Sequence, residues 1–184
     1  MEFTVHTPQS APEASRTALE QIDGRMGFIP NLAATIAESP TAIQGLGAMQ
    51  AALRQSKLSQ VEREVVGLTV SWENSSAYSM AAHSTFAQGA GAGEEVLSAL
   101  RTGDDIPDAS LHALQEFTRT LLRERGHVGE ESVAALLEAG YSKEQLLEVI
   151  TQVAYTTLAN LVANVIDPPV DKAFEAQAWT VAAV

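Results

Sequence analysis

The chain has 184 residues, 46% hydrophobic and 18% charged, enough for one globular domain with a sizeable core. Eleven Lys and Arg against 23 Asp and Glu leave a net charge of −12, a field that repels phosphate backbones and anionic lipid heads, so neither nucleic acid nor a membrane is an expected partner. Cysteine is absent, which removes disulfides, thiolate metal sites and thiol chemistry from this sequence.

No stretch reaches the ~18 consecutive apolar residues of a spanning helix, and MEFTVHTPQS lacks the basic start and apolar run of a secretory signal. The expected location is the cytoplasm. Aromatics make up only 5% and β-branched residues rarely alternate with polar ones, a pattern that favours helices.

Residues 1–26 read as an N-terminal arm with a helix that Pro12 opens, running toward Ile22 and halting near Gly24. GFIPNL, Gly27 to Leu32, reads as a turn, because Pro30 pushes Ile29 out of the helical region. Ser39 and Pro40 supply an N-cap and first-turn pair for a helix through Leu53.

Ser59 and Glu62 have capping-box spacing ahead of Val61, Val65 and Leu68, which predicts a helix over Gln60 to Trp72. Asn74 to Ser76 offer caps for the next helix, which ends in the Gly89, Gly91, Gly93 cluster. A short helix to Leu100 follows. Asp108 caps one that carries Leu111, Leu114, Phe117 and Leu121 and stops at Gly126; another runs from Glu130 to Ala139, with Gly140 beyond its end.

A second capping box, Ser142 with Gln145, starts a long helix to Ile166. Its core stripe is predicted as Leu146, Val149, Ile150, Val153, Thr157, Leu158, Leu161, Val162 and Val165. Pro168 and Pro169 end it, and residues 167–184 read as a C-terminal helical extension through Trp179. The faint likeness of SQVEREVV to SKEQLLEVI is explained equally by a duplicated hairpin or by two generic helix starts.

Polar side chains concentrate in ENSSAYSMAAHS, Glu73 to Ser84. On a helix Ser76, Ser79 and His83 share one face through i,i+3 and i,i+4 spacing. Serines equally satisfy orphan N–H groups at a helix start, and a single His there is equally a hydrogen-bonded core residue. A serine hydrolase built on Ser79 and His83 lacks a GxSxG elbow and a source of oxyanion donors.

No metal site is expected: His6, His83, His112 and His127 show no paired spacing, and His112 with Glu116 reads as a solvated i,i+4 contact. The glycines at 89, 91 and 93 follow a helix rather than a strand, unlike a phosphate loop.

The order of these elements resembles the carboxymuconolactone decarboxylase superfamily, in its alkylhydroperoxidase (AhpD)-like, peroxidase-related branch. The resemblance is carried by GFIPNL, Ser39-Pro40, Arg63-Glu64, the NSSAYSMAAHS stretch and Pro168 to Asp171, and covers Gly27 to Asp171. It implies an all-α, AhpD-like multi-helix bundle, built on the antiparallel pair Gln60 to Trp72 and Ser75 to Gln88 with the long helix against it. It also implies a homo-oligomer and no cofactor.

By the same resemblance the two redox cysteines of the branch correspond to Ser76 and Ser79, the proton-relay glutamate to Glu64 and the following histidine to His83, with Tyr78 between the pair. Glu64 is then expected to meet the two serines at the start of their helix. The implied substrate is a small molecule, a hydroperoxide or an organic acid.

Serine does not replace the sulfur chemically. A thiol ionises near pKa ~8.5 and an aliphatic hydroxyl near the ~15.7 of water, a gap of about seven units. At ~1.36 kcal/mol per unit this is roughly 10 kcal/mol, and serine also lacks the sulfenic and disulfide states. Three readings stay open: a peroxidase-type protein whose cysteines were altered to serine, a natural serine form that binds or assembles, and cysteine-free acid/base catalysis by Glu64 and His83.

Overall fold

Side-chain caps set four of the helix starts in the computed structural model, which describes residues 3–180. Nine α-helices carry the regular structure of these residues: α1 Glu13–Met26, α2 Asn31–Ile36, α3 Pro40–Leu53, α4 Gln60–Glu73, α5 Ala77–Gly89, α6 Glu94–Thr102, α7 Ala109–Arg123, α8 Glu130–Glu138 and α9 Lys143–Ile166. Both predicted capping boxes are complete, at Ser59 with Glu62 and at Ser142 with Gln145. Ser39 and Asp108 cap α3 and α7 as expected, accepting from the N–H of Ala42 and of Leu111.

The helices α4 and α5 run antiparallel at the centre, with α9 and α7 packed against α4. One apolar core collects Leu68, Val70, Met80, Leu114, Phe117, Leu136 and Val149; a second, between α2, α3, α5 and α9, collects Leu32, Ile36, Ile43, Ala81, Ala159 and Phe174. The candidate site lies along the second.

The structure corrects five expectations. First, α1 passes through Gly24 and stops at Gly27, whose φ of 77° closes the helix; it is the left-handed turn that requires glycine, and Gly24 does not make one. Second, GFIPNL is only half a turn: Pro30 keeps Ile29 out of helix but, as the residue before α2, leaves Asn31 and Leu32 free to begin it.

Third, α9 turns a different face inward. Buried on it are Val149, Gln152, Val153, Thr156, Ala159, Asn160 and Ala163, while Leu147, Ile150, Leu158, Leu161 and Val165 are exposed. Hydrogen bonding reverses the apolar pattern: Asn160 Nδ2 donates to Ser71 Oγ at 3.3 Å, Asn74 Nδ2 to Asn160 Oδ1 at 3.1 Å and Asn164 Nδ2 to the Asn74 carbonyl at 2.8 Å. Although α9 is long and apolar enough to cross a bilayer, with a window of mean hydropathy 1.4, this polar ladder fastens it to the end of α4.

Fourth, residues 167–180 form no α-helix; a 3-10 turn at Glu175–Gln177 is their regular part, and 181–184 lie outside the described residues. The segment is a strap held by side chains. Arg101 donates to the carbonyls of Gln177 and Ala178, and the Trp179 indole donates to the Arg101 carbonyl and packs edge-on against Trp72. The expected His112–Glu116 contact is not made either, because Glu116 pairs with Arg119 at 2.6 Å.

Candidate active site

Antiparallel packing places the first turns of α4 opposite the later turns of α5, so the partner of Glu64 is His83. His83 Nδ1 lies 2.7 Å from Glu64 Oε2, and both side chains are nearly buried, at 12% and 13% exposure. A Nδ1–H donating to the carboxylate fixes the tautomer and leaves the Nε2 lone pair to act as a base.

Gly67 makes this closeness feasible. It sits one turn after Glu64 on α4, and a Cβ there would come within 2.7 Å of His83 Nδ1 and 2.8 Å of Cε1. The imidazole therefore lies in the space that any side chain at position 67 would fill. Gly67 is a positioning residue that the sequence reading missed; its signal was a lone glycine inside a strongly apolar helix, a usual mark of close approach.

The two serines are placed unequally. Ser76 is the N-cap residue of α5 and fully buried, its N–H bonded to the Ser71 carbonyl at 2.9 Å, while its hydroxyl has no partner and caps nothing. The turn before it is made by Ser75 in left-handed backbone, φ 51°. Ser79, one turn on, is 3% exposed and lines a cavity of about 110 Å³ together with His83. Among the described residues neither serine hydrogen-bonds to Glu64 or His83, so Glu64 meets His83 where contact with Ser76 and Ser79 was expected, and Ser79 shares the cavity wall with that imidazole.

Tyr78, which also lines the cavity, ties α5 to the start of α2 and to the segment after α9. Its hydroxyl accepts from the Leu32 N–H at 3.3 Å and donates to Asp171 Oδ2 at 2.5 Å; Asp171 also accepts from the Asn31 N–H at 3.0 Å. Burial first, and the Asp171 carboxylate next, drive the phenol pKa far up. Asp171 thereby caps the start of α2, locks the strap and holds Tyr78 neutral.

The cavity wall is mainly apolar. Ile22, Met26, Ile43, Leu46, Phe86 and Phe174 contribute, with Gln50 and Tyr155 at one side. Phe174 packs edge-on against Phe28, Tyr78 and Phe86. GFIPNL thus does both things weighed for it: Phe28 and Leu32 anchor in the core, and Pro30 and Leu32 also face the cavity.

The sequence profile of the carboxymuconolactone decarboxylase family matches residues 37–118, a stretch that contains α3 to α6, and with them Glu64 and His83, and part of α7. Residues 37–118 thus resemble the carboxymuconolactone decarboxylase family. The fold of the chain is AhpD-like. An alkylhydroperoxidase AhpD core structure, a peroxidase-related protein from Ralstonia eutropha JMP134, is similar over 94% of this chain and 93% of that one, with a TM-score of 0.84 and 24% identity. A peroxidase-related protein from Silicibacter sp. TM1040 is similar over 96% and 94%, with a TM-score of 0.81 and 19% identity. A cysteine-to-alanine form of the debrominase Bmp8, solved with 2,3,4-tribromopyrrole, is similar over 96% and 95%, with a TM-score of 0.79 and 17% identity. No curated protein sequence matches the chain.

Proposed function

We propose that this chain is an alkylhydroperoxidase-like protein that holds a small molecule beside Glu64 and His83 and, with serine at positions 76 and 79, runs no thiol peroxidase cycle. The observation that carries the reading is the 2.7 Å contact between His83 and Glu64 at a cavity that Ser79 also lines. The pair has the parts of a general base: a carboxylate orients the imidazole, and the imidazole faces the space where a reacting group would sit. What is missing is the nucleophile, since roughly 10 kcal/mol separates serine from thiol ionisation at ~1.36 kcal/mol per unit.

The test is the double variant Ser76→Cys/Ser79→Cys, assayed for hydroperoxide reduction with a dithiol as electron source. A thiolate at 79 attacks the peroxide, the O–O bond breaks and the alcohol leaves with a proton. The sulfenic acid then condenses with the thiol at 76 to give a disulfide and water, and the dithiol returns two electrons. The expected result is turnover by the double variant and none by the serine form. A folded, reduced double variant without turnover overturns the reading.

A second reading rests on the same pair without sulfur: acid/base catalysis on an organic acid or lactone. It requires turnover by the serine form that Glu64→Gln abolishes while the fold persists. We further propose that a second copy of the chain covers Leu158, Leu161 and Val165 of α9, exposed at 38%, 55% and 78%.

A further inference from the structure

Arginines are sparse on this acidic chain, yet three of them converge on one opening. Arg25 in the last turn of α1, Arg54 at the end of α3 and Arg63 in α4 line a groove of about 410 Å³ whose one acidic lining residue is Glu64. The groove shares Met26, Gln50, His83, Phe86 and Tyr155 with the inner cavity. The two therefore adjoin across these shared side chains, the inner one mainly apolar and the outer one cationic.

Among the described residues none of the three guanidinium groups has a carboxylate partner within 4.0 Å. Arg54 donates to Gln50 Oε1 at 3.2 Å and Arg63 to the Leu58 carbonyl at 2.7 Å, which leaves most of each five-donor fork unused. The Glu64 carboxylate is already engaged by His83. Three positive charges thus face a single, committed negative one.

Tyr155 stands where cavity and groove meet. Its hydroxyl accepts from Gln50 Nε2 at 3.3 Å. Burial first, then Glu64, raise its pKa to about 12, while Arg54 and Arg25 pull the other way. The phenol keeps its proton and can donate it to an incoming acceptor.

We propose that these adjoining spaces bind an amphipathic organic oxyanion, its apolar body against Leu46, Phe86 and Phe174 and its carboxylate or phosphate head among Arg25, Arg54 and Arg63. The inference rests on reading the Glu64–His83 cavity as a small-molecule site and names the chemical class it takes. Size supports a compact body: a dry cavity of ~150 Å³ holds benzene, so about 110 Å³ fits a short chain or a five-membered ring. Paired N–H donors of arginine match the two oxygens of a carboxylate, or two of a phosphate.

The experiment is calorimetric titration of the serine protein with four probes sharing one apolar chain: hexanoate, hexyl phosphate, 1-hexanol and hexylamine, with the His83 ring signals followed by NMR to locate binding. Hexanoate or hexyl phosphate, whichever head fits, is expected to bind at least tenfold more tightly than 1-hexanol, to shift the His83 signals and to weaken with added salt. Arg25→Gln/Arg54→Gln is expected to remove that preference and leave 1-hexanol binding unchanged. Equal binding of 1-hexanol and both anions, or a preference that survives the double variant, overturns the oxyanion and leaves the small-molecule site standing. No binding of any probe overturns both.

Discussion

Gly67→Ala tests the geometry on which the site depends. An ordinary contact to a Cβ begins near 3.4 Å, and the new methyl would lie 2.7 Å from His83 Nδ1, so the ring must retreat by about 0.7 Å. The same retreat would stretch the 2.7 Å Glu64 contact to about 3.4 Å, where little of a hydrogen bond remains. Three effects compete. Ala gains about 1 kcal/mol over Gly in a helix interior. Overpacking costs about 1–3 kcal/mol, and the charge-assisted bond is worth about 1.5–3 kcal/mol. The sum is a loss of about 1.5–5 kcal/mol, seen by calorimetry as a melting temperature roughly 3–20 °C lower for a chain of this length. In the Ser76→Cys/Ser79→Cys background the same change should depress peroxide turnover, and the His83 ring signals should move. A variant that melts higher than the parent with unchanged His83 signals would refute this reasoning, because it would mean that the ring does not occupy the space above position 67.

Tyr78→Phe should lower stability by about 1–2 kcal/mol in urea unfolding, since Asp171 loses a buried donor but keeps the Asn31 N–H; in the double-cysteine background it should leave peroxide turnover intact, as fits a structural tyrosine. Alkali should destabilise the fold. Burial raises the Tyr141 pKa from 10.0 to about 12, so the stability it lends is complete below about pH 10 and disappears as pH climbs through about 12, a loss of a few kcal/mol at ~1.36 kcal/mol per unit; a urea midpoint flat across this window would count against it. Leu158→Asp/Leu161→Asp should convert any self-associated form to monomer in sedimentation runs without lowering the helix content.

Local chemistry was legible in the sequence, and inter-helix chemistry much less so. Ser59 with Glu62, Ser142 with Gln145, Ser39 and Asp108 each close on a partner within three residues, so spacing alone reveals them. The inner face of α9 escaped because apolar periodicity takes a core to be apolar, whereas Asn160 is satisfied by Ser71 and Asn74 from the far end of α4. Glu64 was recognisable as a site residue, but its partner depends on the register between α4 and α5, which assigns His83 to it and not Ser76. Arg63 was noticed only beside Glu64, and its convergence with Arg25 and Arg54 escaped because the three come from separate helices and share no spacing.

The strap after α9 supplies Phe174 to the cavity wall and Asp171 to the start of α2. Every helix it leans on leaves the ribosome before it does. A nascent chain stopped at Asp167 would carry all nine helices yet present an open trough in place of a chamber, with Tyr78 and the N–H of Asn31 both deprived of their carboxylate. Closure of the chamber thus waits for the strap, which follows all of those helices in the chain.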